Sequence, residues 1–497
     1  MTVNTVKKGS TLLFFIICFA QLPAVAQNTF EEYRAQKRAE FDRYRNSKRE
    51  AFEAYRAKKN REFADLLSQK WGNYNLSKGR PQPKKPDPVT PTVAPKEEEK
   101  PTKPIDLPFG KVVSTPKPVK PKPIDFPIEP DKQTSHKVKV TFYGTTCNVY
   151  FRPDMRFSLE SVSEKNVGKI WKLLSSDHYT SLLADCRSLH EKMQLGDYGL
   201  LRLAETVAQE TLGKGNEAVI LQTYIMTQFG YDVRLCQQGN KLGMIVPFKQ
   251  VVCNTPYYQI DGTSYYVWDK SMQSGTVSSY KQNIKDATRQ IDLQMTSTPR
   301  FASLSSAART FMSERYPAAN VSVATDNNLM AFYNDYPMMQ DWGVYAAQPM
   351  EPRLTSQVYP KLRTALRGKS ETEAADILLN FVQTGFKYQT DEQQFGHEKY
   401  NFGEESFHYP ACDCEDRSIL FAHLIKDLVG LDVILLHYPN HLATAVRFNQ
   451  TVNGNSVNVN GKRYTICDPT YINAGIGMCM KKFIGVRPTV YLIPTSR

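Results

Sequence analysis

Three residues scattered over the last quarter of the chain have the types that together make an activated thiol: Cys414, His441 and Asp468. A cysteine is a strong nucleophile only as its thiolate, so it needs a base to take its proton. An imidazole does this when a carboxylate holds its tautomer and orientation. Cys414 lies in Asp413-Cys414-Glu415-Asp416-Arg417-Ser418-Ile419-Leu420-Phe421-Ala422, where an apolar run begins just after the cysteine. That places the thiol at a helix N-terminus, where backbone N–H groups and the helix dipole favour the thiolate. His441 opens the alternating stretch Leu442-Ala443-Thr444-Ala445-Val446, which reads as a strand. Asp468 ends Tyr464-Thr465-Ile466-Cys467-Asp468, another strand pattern. The chemistry of such a set is acyl transfer from an amide through a thioester.

Other roles compete for the same residues. Cys414 could pair with Cys412, Cys467 or Cys479, since eight cysteines lie beyond the first 26 residues. Cys412 and Cys414 could join His437 and His441 around a metal, although paired zinc cysteines usually stand further apart. His437 is an alternative base, but it sits inside a strand pattern. Asp416 can support the helix start or pair with Arg417. An oxyanion would be held by the backbone N–H of Cys414, and by a side-chain amide from Gln393 or Gln394 unless these only cover the site. No cofactor and no metal is expected.

Asp-Cys-x-Asp at a helix start, His 27 residues on and Asp-Pro-Thr 27 further resemble the transglutaminase-like superfamily, a papain-type fold, over roughly residues 371–477. Phe386-Lys387-Tyr388 fits its lead-in strand. The resemblance implies Cys414 as nucleophile, His441 as base and Asp468 as orienting residue. Many members carry an aromatic residue shortly after the histidine, whereas this chain has Leu442-Ala443-Thr444. It further implies a protein or peptide substrate. Hydrolysis is favoured over crosslinking to an amine, and a non-enzymatic scaffold is the remaining alternative.

The elements around the triad have a counterpart upstream. Gly230-Tyr231-Asp232-Val233-Arg234-Leu235 matches Gly430-Leu431-Asp432-Val433-Ile434-Leu435 at an offset of 200, and Asn240, Leu242, Val246 and Phe248 continue it. Gly262, Tyr265 and Asp269 match Gly461, Tyr464 and Asp468 at 199. Lys214 stands opposite Cys414, and Lys241 opposite His441. The expected fold is therefore α+β, with a papain or transglutaminase-like core of helix plus antiparallel sheet in tandem duplicate. The first copy (137–290) lacks the triad and the second (291–497) carries it.

Upstream of these lie three segments of different composition. Residues 1–26 read as a secretory signal: Lys7 and Lys8, an apolar run from Leu12 to Phe19, and Ala24-Val25-Ala26. The apolar run is too short for a stable membrane span, so a periplasmic or extracellular location is expected. Residues 27–78 contain Phe30, Phe41, Phe52 and Phe63 at intervals of eleven, with Tyr33, Tyr44, Tyr55 and Leu66 three further on. Eleven residues make three helical turns, so these side chains form one stripe on a long helix. That stripe could pack on another element, lie on a membrane surface or self-associate. Residues 79–136 hold 15 of the 30 prolines and two similar tracts, Pro104-Ile105-Asp106-Leu107-Pro108 and Pro123-Ile124-Asp125-Phe126-Pro127. They are expected to form an extended spacer.

The formal charge is +13, and Gln27–His136 alone carries 24 Lys/Arg against 16 Asp/Glu. The basicity thus belongs to the N-terminal arm and suits an anionic lipid, lipopolysaccharide or cell-wall surface. Nucleic acid is not expected as a partner of an exported chain.

Overall fold

The Arg/Lys/Glu/Ala composition around the eleven-residue repeat produces one helix, Leu22–Leu67, 46 residues long. The computed structural model describes residues 22–81, 91–95, 103–120, 122–124, 126, 128, 136–272 and 275–494. The basic and apolar parts of the expected signal segment lie outside them. The chain divides into two units, Met1–Glu62 and Phe63–Arg497. In the first, the helix is stabilised along its own surface. Lys37–Glu40, Asp42–Arg45 and Arg49–Glu53 pair one turn apart, and Lys37, Lys48 and Lys59 reach over Tyr33, Tyr44 and Tyr55 at the repeat interval. Phe30, Tyr33, Phe41 and Tyr44 are exposed. No described helix is long and apolar enough to cross a membrane.

The second unit is α+β and contains two large sheets, the first antiparallel and the second antiparallel except at its two edges. One has six strands in the order Gly72–Asn75, Thr276–Ser279, Arg234–Gln238, Lys241–Pro247, Thr263–Val267, Tyr257–Ile260. The other has seven: Ile105–Asp106, Asn455–Val459, Lys462–Cys467, His441–Arg447, Asp432–Tyr438, Thr489–Leu492, Lys111–Ser114. A helix leads into each sheet, Asn216–Gln228 into the first and Cys414–Leu424 into the second. Every residue of the Cys414 helix is buried, as expected of a helix at the centre of a packed unit. It ends through a π-turn over Ile425–Val429 at Gly430, whose φ of 79° suits the residue type.

The Pro/Lys-rich stretch is not a spacer throughout. Ile105–Asp106 pairs in parallel with Asn455–Ser456, and Lys111–Ser114 with Thr489–Leu492, so its strands form both edges of the seven-stranded sheet. Six strand-to-strand steps would separate those edges by about 29 Å in a flat sheet. The five residue steps from Asp106 to Lys111 reach at most about 18 Å, so the sheet must curl until its edges approach. Leu107 enters the core with Ile434, Leu436 and Tyr464. Thr115 donates to Asp341 and lies so close to Gly343 that a Cβ there would sit 1.9 Å from its hydroxyl. The isolated proline-tract residues Ile124 and Phe126 are also buried. The proline content predicted extended structure but gave no sign of the pairing, which proline tolerates at sheet edges.

Local expectations met mixed outcomes. Lys137–Phe142 is a strand, paired with Thr145–Tyr150. Phe386-Lys387-Tyr388 is not one: Tyr388 makes a single bridge to Cys412.

Candidate active site

Asp413 caps the Cys414 helix in a capping box with Asp416. Asp416 is held in turn by the backbone and side-chain N–H groups of Asn401, at 3.1 and 2.9 Å. Asp416 therefore supports the helix start, and Arg417 does not pair with it. The buried Arg417 guanidinium instead donates to the carbonyls of Gln383 (3.0 Å) and Phe386 (2.8 Å), where the helix Glu371–Gly385 ends. One turn after Cys414, Ser418 donates to the carbonyl of Leu442 at 2.9 Å, tying the thiol's helix to the residue beside His441.

His441 is placed by register. Tyr438 pairs with His441 across the Pro439-Asn440 turn, and Asn440 has a φ of 75°, so the imidazole stands at the first position of its strand. The neighbouring strand pairs Cys467 with Thr444, which leaves Asp468 just past its end, at the same end of the sheet. His441 Nε2 donates to Asp468 Oδ2 at 2.8 Å. The other carboxylate oxygen accepts the backbone N–H groups of Thr470 and Tyr471 at 2.9 and 3.2 Å. Gln383 donates to the carbonyls of Asp468, Tyr471 and Ala474 at 3.0, 2.8 and 3.1 Å. Gln383 and Arg417 thus link the thiol's helix to the carboxylate's loop. The imidazole lies parallel to Phe483, centroids 5.2 Å apart and planes 8° apart, and Phe483 stacks on Tyr438 from its other contact.

With Nε2 committed to Asp468, Nδ1 is the nitrogen left for a thiol, and it is buried without a hydrogen-bond partner among the described residues. Burial works against a charged imidazole, but the charge and hydrogen bond of Asp468, with Cys414 alongside, outweigh it and raise His441 to about 10. Cys414 is 3% exposed. Its Sγ–H donates to Glu415 Oε2 at 3.2 Å rather than to His441. Carboxylates crowd this side: Asp413, Cys414 and Glu415 bring ligand atoms within 4.8 Å of one another, as do Asp391, Asp413 and Asp416. A cation would find its oxygen donors here.

The competing assignments separate. All eight cysteines beyond the signal segment are buried, and none of them forms a disulfide among the described residues. Burial pushes the Cys412 thiol up to about 12, against a nearby Arg417, which leaves it a poor nucleophile. His437 lies against Trp342, ring centroids 4.7 Å apart and planes tilted by 58°, and burial lowers it to about 4. Gln393 is exposed and closes a capping box with Thr390. Gln394 accepts the backbone N–H of Ala411 at 3.0 Å, bracing the segment that leads to Cys414. Of the two amides, Gln394 is the one tied to the thiol's approach. Gln383, Ser418 and Phe483 escaped the sequence reading. Only Ser418 left a signal there, its spacing of four from Cys414. No protein-family model matches the chain, and no curated protein or solved structure matches it either.

Proposed function

We propose that the chain is a thiol enzyme that breaks peptide or protein amide bonds by acyl transfer through a thioester on Cys414, with a transglutaminase-like, papain-type core. The observation that carries this is the 2.8 Å His441–Asp468 hydrogen bond, which leaves Nδ1 as the only imidazole face for the cysteine. In the proposed reaction the sulfur turns from Glu415 to Nδ1 and reacts as the thiolate of a thiolate–imidazolium pair, with Asp468 stabilising the imidazolium. Sulfur attacks the amide carbon, the C–N bond breaks, and the imidazolium returns the proton to the leaving amine. Water then attacks the thioester, His441 takes its proton, and a carboxylic acid leaves as the thiolate–imidazolium pair re-forms. The backbone N–H of Cys414 and the side chain of Gln394 are the proposed oxyanion donors.

The two sheets read as one unit present twice. Their five central strands run in the same order. Gln238–Lys241 and Tyr438–His441 are equivalent pairs at an offset of 200, and Ile245–Val267 and Ala445–Ile466 follow at offsets of 200 and 199. A crystal structure in which Lys241 and His441 fell at different places on superposition would sink the duplication.

The test of the chemistry is labelling with iodoacetamide under reducing, native conditions, followed by peptide mapping and a search for cleaved or amine-linked products. The expected result is selective modification of Cys414 and loss of product formation in Cys414→Ala. The buried thiol and its bond to Glu415 favour a scaffold as the second reading, and equal activity of Cys414→Ala and the parent would establish that one. We propose export and contact of the basic helix with an anionic envelope surface. Removal of residues 27–62 should abolish sedimentation with phosphatidylglycerol vesicles at low salt; unchanged sedimentation would count against that contact.

A further inference from the structure

A cavity of about 830 Å³ opens at the start of the helix Asn216–Gln228, walled mainly by the first half of the globular unit and completed by residues 334–337 and His397. Lys241, the first residue of its strand, and Asp269, just beyond the end of another, stand on its wall with Lys241 Nζ 3.0 Å from Asp269 Oδ2. The corresponding places in the second half hold His441 and Asp468. No cysteine lines the cavity, so it has no thiol to attack an acyl group.

Its remaining groups suit binding. Gln222 lines the cavity although only 4% exposed. Its Nε2 donates to the carbonyl of Leu201 at 3.3 Å, and its amide oxygen has no partner among the described residues. Open to the cavity, that acceptor can take an N–H donor from a ligand. Lys214 stands at the rim and makes no ion pair among the described residues. The helix beside it is capped by Gly215, with no side-chain acceptor for the first-turn N–H groups. The Cys414 helix has Asp413 in that place. The lining carboxylates Glu205 and Asp335 are paired with Arg202, and Asp269 with Lys241, which leaves Lys214 and the open helix start to favour an anion. The rings of Tyr198 and Trp268, 6.2 Å apart, form an apolar wall. The volume falls within the roughly 300–1,000 Å³ of small-ligand sites.

We infer that this cavity binds the carboxyl-terminal end of a peptide. Such a ligand presents, within a few bonds, an amide N–H for Gln222, a carboxylate for Lys214 and the helix start, and a side chain for the Tyr198–Trp268 wall. The inference stands on the cavity and not on the reactivity of Cys414, so the two can fail separately.

The test uses the full chain carrying Cys414→Ala, which cannot consume a peptide through the thiol. It is offered an equimolar library of tetrapeptides with free carboxylates and, separately, the same library as C-terminal amides. Retained peptides are identified by mass spectrometry, and the best is resynthesised for calorimetry. The expected result is retention from the carboxylate library and affinity at least tenfold above that of the matching amide. Lys214→Gln, at an exposed position, should weaken carboxylate binding about tenfold and abolish the preference. No retention from either library, equal affinity of acid and amide, or an unaffected Lys214→Gln protein would each overturn the inference. Peptide binding by a chain whose Cys414 proved inert to iodoacetamide would leave the inference standing and the proposed chemistry refuted.

Discussion

At the scale of single residues, the thiol has two neighbours that pull on it in opposite directions. Glu415 accepts its proton's hydrogen bond at 3.2 Å, and a carboxylate so close opposes a negative sulfur by like-charge repulsion. His441 favours the negative sulfur, but only through Nδ1. Glu415→Gln keeps an acceptor and removes the charge, so Cys414 should alkylate severalfold faster in that variant. His441→Ala should slow it. A slower or unchanged rate in Glu415→Gln, measured by mass spectrometry against time, would show that Glu415 does not restrain the thiol. The imidazole makes a second prediction. Its folded value of about 10 lies above the ordinary 6.5, so the protonated form is preferentially stabilised by folding. That stability is fully present below about pH 6.5 and is lost as pH rises through 10. Asp468→Asn removes the main stabilising charge. Its melting temperature should therefore fall less between pH 7 and pH 10 than the parent's, whatever its value at pH 7; equal declines by calorimetry would exclude this linkage.

At the scale of elements, Cys414, His441 and Asp468 stood out because each sits at the end of an element with a strong pattern. The apolar run after Cys414 marked a helix start, and the alternation after His441 and before Asp468 marked strand ends. What holds those ends together was not legible. Gln383, Arg417 and Ser418 act through backbone carbonyls, and a carbonyl acceptor leaves no trace in residue type. Phe483 looks like any core aromatic until the sheet places it against His441. Arg417 is the sharpest case, because a buried arginine reads as an ion-pair partner and Asp416 is its neighbour in sequence. Removing it leaves the carbonyls of Gln383 and Phe386 without their donor, at about 1–3 kcal/mol for each buried acceptor left unsatisfied. Arg417→Met should therefore lower stability by about 3 kcal/mol in urea unfolding, with the transition midpoint shifted and the slope unchanged. A loss under 1 kcal/mol would mean that the two helix ends are held by other contacts.

At the scale of the whole molecule, composition drew a boundary in the wrong place for folding. The low-complexity stretch before residue 137 read as an extended spacer, yet it supplies both edges of the sheet that carries His441. Each edge strand satisfies backbone groups that would otherwise face water along an open edge. Leu107 adds a buried side chain, worth about 2 kcal/mol by transfer from water. The unit from Phe63 onward contains these strands, whereas the helix before it is held by its own surface pairs and exposes its aromatic side chains. Two truncations separate the cases. A chain beginning at residue 63 should unfold cooperatively at a melting temperature within a few degrees of the full chain's. A chain beginning at residue 137 should lose several kcal/mol, expose a sheet edge and aggregate or melt early. Calorimetry and size-exclusion chromatography on the two would decide the matter. Equal stability of both chains would mean that the edge strands are ornaments on a sheet complete without them, and the curl that the five steps from Asp106 to Lys111 impose would then have to arise from the central strands alone.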